Sequence, residues 1–110
     1  MFRKKNYLPS PKIEVESNKL VIIGKTVDEI PFSTIFRIEA FNLYDFLGNR
    51  IFLRLQTSNG DYFIGEGDVG FGNAQEALHS HFNFMSEFYE TLDDDTTGNT
   101  KVVLYEKKEG

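Results

Sequence analysis

Residues 50–66, RIFLRLQTSNGDYFIGE, decide how this chain is read. Ile51, Leu53 and Leu55 alternate with Phe52, Arg54 and Gln56, the period-2 signature of a strand with one buried face. Asn59-Gly60 supplies two residues that accept positive φ, as a type I′ turn requires. Tyr62, Phe63 and Ile64 then resume a strand rich in aromatic and branched residues. A two-residue loop at Asn59-Gly60 places Thr57 opposite Tyr62, Gln56 opposite Phe63 and Leu55 opposite Ile64.

Working back from this hairpin, residues 35–46 read as a long strand, with Gly48-Asn49 as a II′-type connection. Leu47 then pairs with Arg50, Phe46 with Ile51, Tyr44 with Leu53, Asn42 with Leu55 and Ala40 with Thr57. Phe36, Ile38, Ala40, Tyr44 and Phe46 fall on the face already assigned to Ile51, Leu53, Leu55, Tyr62 and Ile64. Two independent turn signals thus agree on one buried face of a three-strand meander.

Upstream, residues 12–16 alternate charged and apolar side chains, Ser17-Asn18 is a tight turn, and the run KLVIIGK at 19–25 suits a strand covered on both faces. Residues 26–29 turn away from it. Ile30-Pro31-Phe32-Ser33-Thr34 begins with a proline that interrupts a ladder and fits one helical turn. Downstream, GEGDVGFG at 65–72 is a glycine-rich connector. Asn73 as N-cap with Glu76 forms a capping box. Ala74, Ala77, Leu78, His81, Phe82, Met85, Phe88, Tyr89 and Leu92 lie on one helical stripe, and Phe84 lies off it. Asp93, Asp94 and Asp95 end this helix, because carboxylates sit badly at the negative end of its dipole. KVVLYE at 101–106 is a candidate final strand.

The fold expected is α+β: a strongly bent antiparallel sheet with one long C-terminal helix and a possible last strand. Residues 1–11 are a basic arm, 12–106 one globular domain and 107–110 a frayed tail. A chain of 110 residues is long enough to bury one core without staples.

Composition narrows function. There is no Cys, which removes disulfides, thiolate metal sites and a Cys nucleophile, and fits a reducing, cytoplasmic setting. Residues 1–11, MFRKKNYLPSP, have basic residues but no apolar run behind them, so no secretory signal is expected there. No stretch approaches 18 uninterrupted apolar residues, so no membrane span is expected. The net charge is −5. An acidic body opposes general nucleic-acid binding, which needs a basic footprint. Three charges at Arg3, Lys4 and Lys5 do not amount to a membrane-binding patch.

No motif names a reaction. Gly65-x-Gly67-x-x-Gly70 matches the dinucleotide fingerprint in letters, but Glu66 and Asp68 would repel a pyrophosphate, and the preceding strand is an antiparallel hairpin arm. Asp61, Glu66 and Asp68 lack calcium-loop spacing. Glu76-x-x-His79 is half of a di-iron motif with no second long helix to complete it. His79 and His81 are about 200° apart on a helix and cannot share a metal. Ser80 beside His81 is adjacency, not triad geometry. No catalytic, cofactor-binding or metal-binding residue is assigned, and no small-molecule substrate.

The segment Ile30-Pro31-Phe32-Ser33-Thr34-Ile35, the Thr57-Ser58-Asn59-Gly60 hairpin and the helix from Asn73 resemble bacterial pleckstrin-homology-like domains, over about residues 12–92. The resemblance implies a bent sheet, nearly a barrel, closed by a C-terminal helix, and a binding rather than catalytic role. Five strands are counted before the helix where the family has seven. Members that bind phosphoinositides use basic residues in the first hairpin. Here Glu14 and Glu16 stand beside Lys12 and Lys19, which disfavours lipid phosphate.

The meander's other face is the candidate partner-binding surface: Phe41, Leu43, Phe52, Arg54 and Phe63, with Gln56 opposite both Phe41 and Phe63 and Arg54 opposite Leu43. Either the arm, the helix or the last strand covers this face as a second core layer, or it is an interface for a protein partner or for homodimerisation. The function expected is therefore a non-enzymatic protein-interaction domain. The alternative is an acidic inhibitor or immunity protein that covers a basic enzyme.

Overall fold

A computed structural model describes residues 11–45, 48–84 and 101–107. Its strands form two antiparallel sheets. The first, in order β1-β2-β3, comprises β1 (Lys12–Glu16), β2 (Lys19–Ile23) and β3 (Val27–Pro31). The second, in order β6-β5-β4-β7, comprises β4 (Ile35–Asp45), β5 (Gly48–Thr57), β6 (Gly60–Gly65) and β7 (Lys101–Glu106). One helix, α1 (Phe71–Phe82), follows β6. The α+β class is as expected. A single bent sheet is not: the strands divide into two sheets that do not close into a barrel.

The Ser17-Asn18 turn closes β1 onto β2 with Glu16 opposite Lys19. Residues 26–29 do not turn away. Gly24 N–H bonds the Thr26 carbonyl and reverses the chain, so Val27–Pro31 pairs back on β2. Pro31 is tolerated as the last residue of an edge strand. The expected helical turn is present as the 3-10 turn Phe32–Thr34, and Thr34 Oγ1 donates to the Pro31 carbonyl at 2.7 Å.

The meander exists, but both registers differ from expectation. Thr57 pairs with Gly60, Leu55 with Tyr62, Arg54 with Phe63 and Leu53 with Ile64. The loop is Ser58-Asn59, because the Thr57 hydroxyl organises it: it accepts Asn59 N–H at 3.0 Å and donates to the Gly60 carbonyl at 2.8 Å. Gly60 has φ +124° and Asn59 does not have positive φ, so this is not a type I′ turn. In the first hairpin Asp45 pairs with Gly48, Asn42 with Ile51 and Ala40 with Leu53. Gly48 and Asn49 are strand residues, so they do not form the connection expected of them. Partners move by two residues in one hairpin and by four in the other. Even shifts leave every side chain on its face, whereas an odd shift would invert them.

Phe36 is the exception on β4. A bulge between Ile35 and Arg37 makes it the extra residue, so Ile35 enters the core and Phe36 is 43% exposed. Its carbonyl accepts Lys107 N–H at 2.8 Å. Tyr44 and Phe46, also expected in the core, have side chains outside the described residues.

The core joins Leu20 and Ile30 of the first sheet, Ile38, Leu53 and Leu55 of the second, and Ala74 and Leu78 of α1. The helix starts earlier than expected. Gly70, not Asn73, is the N-cap, at φ +89°, and no side chain caps it. That left-handed turn lets Phe71 bury as the first helical residue. The helix also stops sooner. Asn83 takes φ 55°, and its N–H bonds the His79 carbonyl at 2.8 Å. The reversal drives Phe84 into the core, 5% exposed and edge-on to His79 at 5.4 Å, although the stripe had put it outside. His81, expected on the buried stripe, is exposed and rests on the Phe32 ring at 4.8 Å. Met85, Phe88, Tyr89, Leu92 and the three aspartates lie outside the described residues.

These corrections set the mutational expectation. Phe84→Ala should destabilise by ~3–5 kcal/mol, and Phe36→Ala by no more than about 0.5 kcal/mol. Urea melts of the two variants test this, and equal losses would refute the placement of both rings.

Gly70 and Gly60 give a second contrast. A side chain at either meets positive φ, about 1–3 kcal/mol of strain. At Gly70 a Cβ would also collide with the Ile13 carbonyl oxygen, whereas nothing lies near one at Gly60. Gly70→Ala should therefore lower the melting temperature clearly more than Gly60→Ala.

A candidate protein-interaction face

Alternation on β4 and β5 sends Ile38, Ala40, Leu53 and Leu55 inward, and Arg37, Glu39, Phe41, Phe52 and Arg54 outward. True register puts Phe41 opposite Phe52, and Phe63 opposite Arg54. The Phe41 and Phe52 rings stack at 5.8 Å with an 18° tilt, and Phe63 meets Phe41 edge-on at 6.2 Å. Three of the predicted residues therefore form one aromatic cluster, and its outermost ring, Phe63, is 54% exposed. Gln56 lies opposite Arg37 and Asp61 rather than between phenylalanines. Leu43 pairs with Arg50, not Arg54, and its side chain is outside what is described.

Beside the rings lies a charged network centred on Glu39, which is 2% exposed. Arg37 Nε donates to Glu39 Oε2 at 2.9 Å, and Arg54 NH1 to Glu39 Oε1 at 3.3 Å. Lys101 Nζ stands 3.6 Å from Oε2. Each arginine also reaches a second carboxylate: Arg37 bonds Glu106 at 2.6 Å and Arg54 bonds Asp61 at 2.7 Å. Burial pushes the Glu39 carboxyl up, but Lys101, Arg37 and Arg54 together more than offset this and hold it below its ordinary value. The hydrogen bond from Arg54 to Asp61 raises the guanidinium further above its already high value.

Neither the helix nor the last strand covers this face among the described residues. α1 packs on the opposite, inward side, through Ala74 and Leu78. β7 extends the sheet beyond β4, with Lys101 opposite Phe41 and Val103 opposite Glu39. The order β6-β5-β4-β7 is what brings Lys101 and Glu106 to the network.

The other motifs are accounted for by the fold. Glu66 Oε1 accepts Ile51 N–H at 2.7 Å, and Asp68 Oδ2 accepts Gly65 N–H at 2.9 Å. The two carboxylates fasten the glycine-rich connector, which is held as a link between β6 and α1. Among the described residues no group of three or more His, Asp or Glu is arranged to hold a metal ion, and no helix is long and apolar enough to cross a membrane. No family model, no curated protein and no solved structure matches the chain.

Sequence reasoning missed Arg37 and Glu39 although the alternation that exposed Phe41 places them on the same face. Their pairing depended on true register, and that of Lys101 and Glu106 on a strand order that no local signal encodes.

The Glu39 cluster should mark the acid limb of stability. A carboxyl held low in the native state stabilises fully above its unfolded value, and that contribution is lost as pH falls through the native one. Unfolding free energy should therefore fall from about pH 4.5 downward. Glu39→Gln should lower stability at pH 7 by ~1–3 kcal/mol and flatten that acid decline. Urea melts across the range check both parts, and an unchanged slope would refute the role of Glu39.

Proposed function

We propose that this chain is a non-enzymatic protein-interaction domain that engages a protein partner, or a second copy of itself, through the outer face of the β6-β5-β4-β7 sheet. The observation that carries the reading is the aromatic cluster of Phe41, Phe52 and Phe63 standing beside Arg54 on that face. Aromatic rings with an arginine are the residue types that dominate interface energetics. The paired guanidinium supplies a polar rim whose hydrogen bonds are already satisfied. We also read the chain as a relative of pleckstrin-homology-like domains, supported by the helical turn after Pro31 and by six strands preceding one helix. A cytoplasmic setting fits a chain without cysteine.

The inhibitor reading keeps one observation in its favour. Three of the twelve Lys/Arg fall at residues 3–5, leaving nine against seventeen Asp/Glu in residues 11–110. Such a charge speeds association with a basic protein and makes it salt-sensitive. Capture that survives high salt favours the apolar face, and capture lost with salt favours the inhibitor.

The direct test is Phe41→Ser combined with Phe63→Ser. The expected result is a melting temperature within a few degrees of the parent, with loss of the partner in pull-down or of the dimer in sedimentation. A collapse of the melting temperature would make the face core and remove the functional reading.

A further inference from the structure

β1 is an edge strand, and among the described residues its edge is only half covered. Ile13 N–H donates to the Val69 carbonyl at 2.7 Å, and Lys12 and Val69 form a short parallel bridge. The backbone of Ile13 therefore points away from β2. In an antiparallel strand these groups alternate, so the N–H and C=O of Val15 point the same way, beyond the reach of Val69. Along that free half runs an open groove. One part, of about 820 Å³, lies between β1 and the Val69–Asn73 corner. Another, of about 370 Å³, continues past Val15 and Glu16 to Ala77 and His81. Asn73, Ala77, Ser80 and His81 share one helical stripe, which makes α1 the far wall. That wall is about 12 Å long by helical rise, room for roughly four extended residues. Val15 and Val69, both exposed, give the groove its apolar floor.

We propose that this groove takes an extended peptide segment with basic residues at alternate positions, added as a strand beside Val15. The chemistry of the occupant follows from the walls. An added strand satisfies the outward N–H and C=O of Val15. Its side chains alternate between the helix side, where Val15 and Ala77 call for apolar groups, and the opposite side, where Glu14 and Glu16 stand exposed. Those two glutamates pair with Lys12 and Lys19 in exposed bridges of little net strength, so a guest cation can exchange in. The acidic body steers a basic segment toward the site. The site is separate from the aromatic face, so each stands or falls alone.

The test uses the full chain, isotope-labelled, with the peptide Lys-Val-Lys-Val-Lys, acetylated and amidated, and with Glu-Val-Glu-Val-Glu as control. Binding should shift the amides of residues 14–17 and 73–81, and the acidic control should bind at least ~tenfold more weakly. Val15→Pro removes the outward N–H while leaving the bonds to β2, a position where an edge strand tolerates proline. It should abolish binding at an unchanged melting temperature, while Phe41→Ser with Phe63→Ser should leave binding intact. If Val15→Pro unfolds the chain, the paired change Glu14→Lys with Glu16→Lys decides, and should reverse the peptide preference. No shifts, shifts elsewhere, or equal binding of the acidic peptide would overturn the proposal. So would concentration-dependent shifts of the same amides without peptide, which would assign the groove to a second copy.

Discussion

One backbone junction ties the parts of this molecule together. Where Ile13 donates to Val69, the connector leaving β6 is pinned against β1, and Gly70 turns so close to the Ile13 carbonyl that only a glycine fits. The two sheets share no ladder. Beside their common core they are joined through such backbone bonds, as in Phe32 N–H to the Asn18 carbonyl and Ser58 N–H to the Thr34 carbonyl. The junction also fixes where α1 begins, because left-handed Gly70 sends the chain into the helix with Phe71 already facing the core. Glycine at 70 therefore has a steric cause rather than a phosphate-binding one. The same pin covers one half of the β1 edge, and among the described residues the other half is open.

Faces were legible in the sequence and registers were not, for a physical reason. A face needs only the period-2 alternation of Ile51, Leu53 and Leu55 against Phe52, Arg54 and Gln56, and that signal is repeated along each strand. A register needs the position of one turn. At Thr57-Ser58-Asn59-Gly60 the side chain of Thr57, two residues before Asn59, moved the turn by one position. Asn-Gly is the stronger textual signal, but a hydroxyl that closes a local ring around Ser58 outcompetes it. Because the partner displacement was even, Ile38, Ala40, Ile51, Leu53, Leu55 and Ile64 are buried as read, with Tyr62 packed at the margin of the core. The bulge at Phe36 is an odd displacement, and there the assignment failed.

The helix illustrates the opposite limit. Ala74 and Leu78 were readable as buried because 3.6-residue periodicity reports a face directly. Its ends depended on Gly70 and Asn83 taking left-handed conformations, and neither residue type dictates that alone. Asn73 and Glu76 offered a capping box that the fold does not use, since a start at Phe71 buries an aromatic ring that a start at Asn73 would leave out. Burial of a large ring is worth more than one cap, so tertiary packing decided the boundary. Phe84 followed from the same cause at the other end.

The outer face of the second sheet combines two kinds of group that seldom coexist on a merely solvated surface. An aromatic cluster whose outer ring, Phe63, is exposed favours burial against another surface, while a carboxylate as inaccessible as Glu39 demands cations and holds them in place. Arg37, Arg54 and Lys101 come from three strands, β4, β5 and β7, and each is oriented by the one carboxylate between them. Arginines fixed this way lose little further freedom on contact with another molecule, which lowers the entropic cost of using them. Their second partners, Glu106 and Asp61, stand nearer solvent and leave the network balanced between three cations and three anions. A network without net charge sits on a body that is strongly acidic. Its charges are therefore internally matched, while the neighbouring aromatic rings supply the apolar contact. On the far side of the domain the β1 edge offers the reverse: little ring surface, exposed backbone polar groups and an acidic margin. The two surfaces differ in the physics that would hold a partner, one by ring burial and the other by strand addition, and for that reason salt should weaken binding at the edge more than at the face.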